Sequence, residues 1–129
     1  MSSYGRLLVL AALVAPPLPA GAVPLDTMDG VGAKILSCWS PPAGAQNSVV
    51  SMRFSLKADG SLIGPPRPAY IDVSGSDDVR KKYIAAAAAA IQKCTPVELS
   101  ADLARGIGGQ VFTLDFATSD RQGKPVPAN

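Results

Sequence analysis

The side chains able to do chemistry in this chain are few, and one class is missing altogether: no histidine occurs among its 129 residues. That removes the commonest general base and the commonest metal ligand. Two cysteines remain, Cys38 and Cys94, 56 positions apart. A thioredoxin-type redox pair needs Cys-x-x-Cys, and nothing near either cysteine in sequence would depress a thiol pKa. Asp77 and Asp78 come closest to an acid/base pair, but adjacent residues on a helix point to different sides. There is neither a Gly-x-Ser-x-Gly turn nor a Ser-x-x-Lys motif. Gly106-Ile107-Gly108-Gly109 imitates a phosphate loop, yet such a loop follows a strand and opens a helix, and here a strand follows it. It reads as a flexible connector. No catalytic set, metal site or cofactor is expected, and the chain reads as a non-enzyme.

The chemistry left to the cysteines is covalent bracing. Met1 to Arg6 carries one basic residue, Leu7 to Ala15 is apolar, and Pro16 to Ala22 ends in Ala20-Gly21-Ala22. This is the pattern of a secretory signal peptide over residues 1–22, cleaved after Ala22. A membrane anchor is the other reading, but the apolar run is far short of the roughly 20 residues a bilayer core needs, so no stable membrane insertion is expected after cleavage. The residue directly after the cleavage site is Val23, not a cysteine that could take a lipid. In a small exported domain Cys38 and Cys94 read as one disulfide, able to stabilise the fold by roughly 4 kcal/mol in the chain-entropy model. Loss of Arg6 leaves basic and acidic side chains nearly balanced, which argues against nucleic acid or an anionic membrane as the main partner.

These residues must be positioned by a small set of elements. Val79, Tyr83, Ala86, Ala87, Ala90, Ile91 and Cys94 fall on one helical face, with Ser76 as N-cap and Asp77 and Asp78 in the first turn. The alanines let that helix lie close to a sheet, and Arg80, Lys81 and Lys82 read as its solvated side rather than a recognition patch. Before it, Val23 to Asp26 reads as a loose leader. A first helix capped by Asp26 or Thr27 follows, with a stripe of Met28, Val31, Ile35 and Cys38, ended by Pro41 and Pro42. In Val49 to Lys57 the residues Val50, Met52, Phe54 and Leu56 alternate with Ser51, Arg53, Ser55 and Lys57, a strand with one apolar and one wet face. Asp59-Gly60 turns it back into a second strand reaching Val73, whose Pro65, Pro66 and Pro68 confine it to a sheet edge. A short helix capped by Ser100 precedes the last strand, Gln110 to Phe116. There Phe112, Leu114 and Phe116 point inward and Val111, Thr113 and Asp115 outward.

The expected fold class is α+β: a three-stranded antiparallel sheet in the order 2-1-3, with helices packed on one face. The long helix should rest on Met52, Phe54, Leu56, Phe112 and Leu114. The domain is expected over residues 23–117, with 118–129 as a disordered polar tail.

Three segments in this order carry a resemblance: Ser-Cys-Trp-Ser-Pro-Pro at 37–42, Arg53-Phe-Ser-Leu-Lys-Ala-Asp-Gly-Ser-Leu62, and Ala89-Ala-Ile-Gln-Lys-Cys-Thr-Pro-Val97. Together they resemble the C-terminal domain of TolA-type and TonB-type envelope proteins, over about Gly30 to Ala117. The resemblance implies a periplasmic interaction domain that binds partner segments by strand addition, the partners being TolB-like or Pal-like proteins or segments of outer-membrane receptors. In TolA-type proteins colicins and phage coat proteins exploit the same domain. The chain reads as a stand-alone member, without anchor or stalk, and Arg105 to Gly109 replaces the aromatic-bearing segment expected before the last strand. Because the last strand contains no proline, Val111, Thr113 and Asp115 are the expected partner-binding edge. A tail folded over that edge is the structural alternative. A secreted inhibitor or small-ligand carrier, unconnected with Tol or Ton systems, is the functional one.

Overall fold

A computed structural model describes residues 24–121. The expected signal peptide, 1–22, and residues 122–129 of the expected tail lie outside the described residues. The elements are α1 (Met28–Leu36), β1 (Val49–Ser55), β2 (Arg67–Asp72), α2 (Asp77–Lys93), α3 (Ala101–Ile107) and β3 (Val111–Ala117). The class is α+β, with one antiparallel sheet in the order β2-β1-β3.

The helices start where side chains can satisfy their first backbone donors. The Thr27 hydroxyl accepts from the Gly30 amide at 3.0 Å, Ser76 from Val79 at 3.3 Å and Ser100 from Leu103 at 3.2 Å. Val31 and Ile35, one turn apart, are buried on α1. Tyr83, Ala87, Ala90 and Ile91 are buried on α2, which packs across β1. The small alanine side chains allow that close approach, as the poly-alanine segment suggested. Cys38 and Cys94 form a disulfide with their Cα atoms 6.0 Å apart, joining the segments that follow α1 and end α2.

β1 is central and gives the core Val50 and Met52, fully buried, and Phe54, nearly so; Leu56, just past its end, is fully buried as well. Its other face is drier than the alternation implied, because Val49 and Ser51 are buried as well. Ser51 tolerates this by donating its hydroxyl to the Asp115 carboxylate on β3. β2 is an edge, as its prolines required. Pro68 stands opposite Met52 just after a register shift between Ser51 and Met52, so the missing donor falls at an irregularity in the ladder.

Three expectations about the connecting segments need correction. The leader is not loose at Leu25, whose amide donates to Glu98 O at 2.8 Å and whose carbonyl accepts from Ser100 at 2.8 Å. The glycine-rich connector is anchored: Ile107 is buried, and the Gly109 amide donates to Leu56 O at 3.1 Å. The described chain also keeps its contacts beyond Ala117. Thr118 is buried and donates its amide to Ser48 O at 3.0 Å, the Asn47 amide donates to the Asp120 carboxylate, and Arg121 pairs with Asp72 at 2.9 Å.

Candidate functional site

β3 borders the sheet on the side away from β2, and no described strand pairs with its outer backbone. In an antiparallel ladder alternate residues aim their N–H and C=O groups away from the existing partner. Along β3 those groups are open to a further strand. Residues 118–121 turn towards Ser48 and Asn47 at the start of β1, so the described part of the tail does not cover this edge. Val111, Thr113 and Asp115 lie on the exposed outer face, Val111 with 61% of its surface accessible.

The inner face of β3 differs from the expectation in a way that matters. Phe112 and Leu114 are only half-buried, and the helix beside them is α1. An added Cβ on Gly32 would stand 3.4 Å from Leu114 Cδ1. Met28, Gly32 and Leu36 of α1 face Phe54, Phe112 and Leu114 across a groove of about 420 Å³ that runs beside the β3 edge. Asp29 and Thr113 are its polar members. Phe54 and Phe112 form one aromatic wall, their ring centres 6.2 Å apart. Leu36 remains 38% exposed. A side chain longer than alanine at position 32 would project from α1 into the groove.

A second aromatic cluster lies towards the other end of β3. The Trp39 ring meets Tyr83 and Phe116 edge-on at centroid distances of 5.2 and 5.3 Å, and its indole N–H donates to Ala117 O at 3.0 Å. The Tyr83 hydroxyl lies within donating distance of both Ser48 O (3.1 Å) and Phe116 O (2.9 Å). Burial pushes its pKa up to about 12; the Asp120 charge adds to the rise and Arg121 opposes it. Far from the edge, the Ser61 hydroxyl and amide hold the exposed Asp59 carboxyl below the usual range.

The outer face carries an uneven charge pattern. Arg67, Arg53 and Thr113 form one cross-strand row, with Arg53 directly opposite both neighbours. Neither guanidinium makes an ion pair or hydrogen bond with a described residue. On the row towards the other end, Asp115 is engaged by Ser51, and one row beyond that Asp72 is engaged by Arg121.

A family model, Uncharacterised conserved protein UCP034077, matches residues 21–120. The chain belongs to that family. Neither the curated proteins nor the solved structures give a match. The UCP034077 match takes in α1, the whole sheet and the segment from Thr118 to Asp120, so both walls of the groove lie within it. No group of histidine, cysteine and carboxylate side chains suited to a metal occurs among the described residues. No helix among them is long and apolar enough to cross a membrane.

The structure thus brings the sequence-predicted edge residues together with features that sequence reading did not connect to them. In the sequence Met28 reads only as part of the core stripe of α1, and Gly32 carries no signal of its own. What would have pointed to the groove is Leu36, an apolar residue off the Met28–Val31–Ile35 stripe. Arg53 was legible as an outward residue, but its opposition to Arg67 depends on a strand register that the prolines obscured.

Proposed function

We propose that this chain is an exported protein-interaction domain of the cell envelope, periplasmic and of TolA/TonB C-terminal type, that captures extended partner segments as a fourth strand beside β3. One observation carries the reading: the edge of β3, unpaired among the described residues, runs along an open apolar groove walled by α1. A strand added there would gain main-chain hydrogen bonds from β3, while alternate side chains would enter the groove. The two edges of the sheet differ in kind. β2 holds Arg67 and Pro68, devices that discourage pairing, whereas β3 has no proline and no basic residue. The disulfide suits an oxidising compartment, which favours export. The near balance of charges favours protein over nucleic acid as partner. TolB-like and Pal-like proteins, or segments of outer-membrane receptors, are the proposed partners.

Titration of the isotope-labelled protein with the N-terminal segment of a TolB-type protein tests this by amide chemical shifts. The expected changes are concentrated in 111–117 and along α1. Thr113→Pro should abolish them while far-UV circular dichroism stays near that of the parent; unchanged binding by a folded Thr113→Pro variant would place the site elsewhere.

The groove itself favours a second reading, a carrier or inhibitor function exercised through a small apolar ligand, since about 420 Å³ lies within the range of ligand sites. Against it, such sites gather several polar groups to orient the ligand, and here only Asp29 and Thr113 are available. Native mass spectrometry of protein purified from the periplasm separates the two, because a carrier retains a small molecule and a strand-capture domain does not.

A further inference from the structure

The outer face at the Val111 end of the sheet holds a second, shallower cavity, of about 240 Å³. Arg53, Arg67, Ile63 and Val111 line it, and Ile63 and Val111 are two of the most exposed large apolar side chains described, at 44% and 61%. Two arginines directly opposite on neighbouring strands repel one another, which costs stability in the free domain. No described carboxylate relieves them, although acidic side chains are not scarce in the chain. We infer that this arginine-lined cavity is an anion-recognition site, and that the extended segment captured at β3 presents a side-chain carboxylate to it, level with Thr113.

The inference rests on the strand-addition reading, and the sheet geometry makes it specific. Residues directly opposite share a face, so the added strand's residue level with Thr113 extends the row Arg67–Arg53–Thr113. Neighbouring strands lie about 4.8 Å apart, which puts Arg53 two strand spacings from the newcomer. An arginine and an aspartate or glutamate leaning towards each other can close that gap over the short Thr113 side chain. Arg67 occupies the other side of Arg53, and its like charge favours the β3 side for the Arg53 guanidinium. Two residues further along β3, Asp115 sits on the same face. A carboxylate level with Asp115 would meet a like charge, so the field along the edge selects where the acid sits as well as its sign. The segment's alternate residues face the α1 groove and must be apolar. The expected recognition pattern is therefore one acidic residue flanked on both sides by apolar ones, rather than a uniformly acidic stretch.

The test uses short acetylated peptides in which valine alternates with serine, one central serine being kept, replaced by aspartate, or replaced by lysine. Binding to the whole mature chain is read by fluorescence anisotropy at low and physiological salt. The aspartate peptide should bind about fivefold or more tighter than the lysine peptide, with the difference shrinking as salt rises. Arg53→Gln should remove the preference, and Arg53→Glu combined with Arg67→Glu should reverse it. These side chains are exposed, and circular dichroism checks that the variants fold. If all three peptides bind equally and only edge variants weaken them, strand addition stands and the anion site is wrong. A preference that survives in an Arg53→Gln, Arg67→Gln double variant also overturns it. If no peptide binds, both readings fall. If phosphatidylglycerol vesicles are bound in an Arg53-dependent way and the aspartate peptide is not, the anion is a lipid phosphate and the peptide assignment is wrong.

Discussion

The Tyr83 hydroxyl lies 2.9 Å from the carbonyl oxygen of Phe116, and this contact ties the middle of α2 to the far end of β3, the strand whose other edge no described residue pairs with. A phenol held there must stay protonated, because the groups within its reach are carbonyl acceptors. Its pKa is 10.0 in the ordinary state and about 12 in the fold. Its contribution to stability is therefore complete below pH 10 and is lost as the pH climbs through 12. Removing the hydroxyl in Tyr83→Phe should cost about 1 kcal/mol at neutral pH. The parent should lose on the order of 2 kcal/mol across that alkaline window which the variant does not lose. Urea midpoints of both proteins, at neutral pH and across the window, check this; parallel pH profiles would show that Tyr83 does not titrate with unfolding.

Gly60 turns the chain after β1 with φ +85°, and its carbonyl accepts from the Val97 amide at 3.0 Å. An added Cβ would overlap the Val97 carbonyl oxygen and stand 2.9 Å from the carbonyl carbon. Both atoms are backbone, so nothing nearby can swing away. Gly60→Ala should destabilise by about 3 kcal/mol or more, from the left-handed conformation and the clash together. Gly44→Ala is the control: its φ is +83°, but no atom lies within 4 Å of the added carbon. It should cost only about 1 kcal/mol. Thermal unfolding of the two variants side by side separates backbone strain from steric overlap.

The contrast between these glycines also marks how far the sequence could be read. Asp59-Gly60 announced a turn, because the dipeptide is a local signal. That the turn would press against Val97, 37 residues on and beyond α2, is a tertiary fact with no local signature. The same division holds for the site. β3 was legible as a strand without proline, since period-two alternation and the absence of proline lie in its own seven residues. The strand order 2-1-3 followed from a hairpin and a crossover. The groove was not legible, because it depends on which helix covers Phe112 and Leu114. Amphipathicity says that a face is buried, not against what, and the longer helix was the natural candidate. Ser51 was misjudged for a related reason: a serine at an outward position reads as wet until its partner, Asp115, is known.

Gly32 allows the groove to be closed without touching the strand that is proposed to do the binding. It lies inside α1, its φ is not among the positive ones, and an added Cβ makes only ordinary contact with Leu114 Cδ1 at 3.4 Å. Gly32→Ala should therefore stabilise the domain by about 0.5–1 kcal/mol, the gain of alanine over glycine in a helix interior. It should leave peptide binding nearly intact. Gly32→Leu carries the same helical advantage but projects three further carbons towards Leu114 and Phe112, where the incoming side chains would sit. It should fold with a melting temperature no lower than that of the parent and bind extended apolar peptides at least about tenfold more weakly, the equivalent of losing about 1.4 kcal/mol of groove contact. Calorimetric unfolding and anisotropy titration on the same two variants give both readouts. Stability and binding then move in opposite directions in the leucine variant, which a purely structural role for the α1–β3 contact cannot produce. If Gly32→Leu binds as well as the parent, partner side chains do not enter the groove.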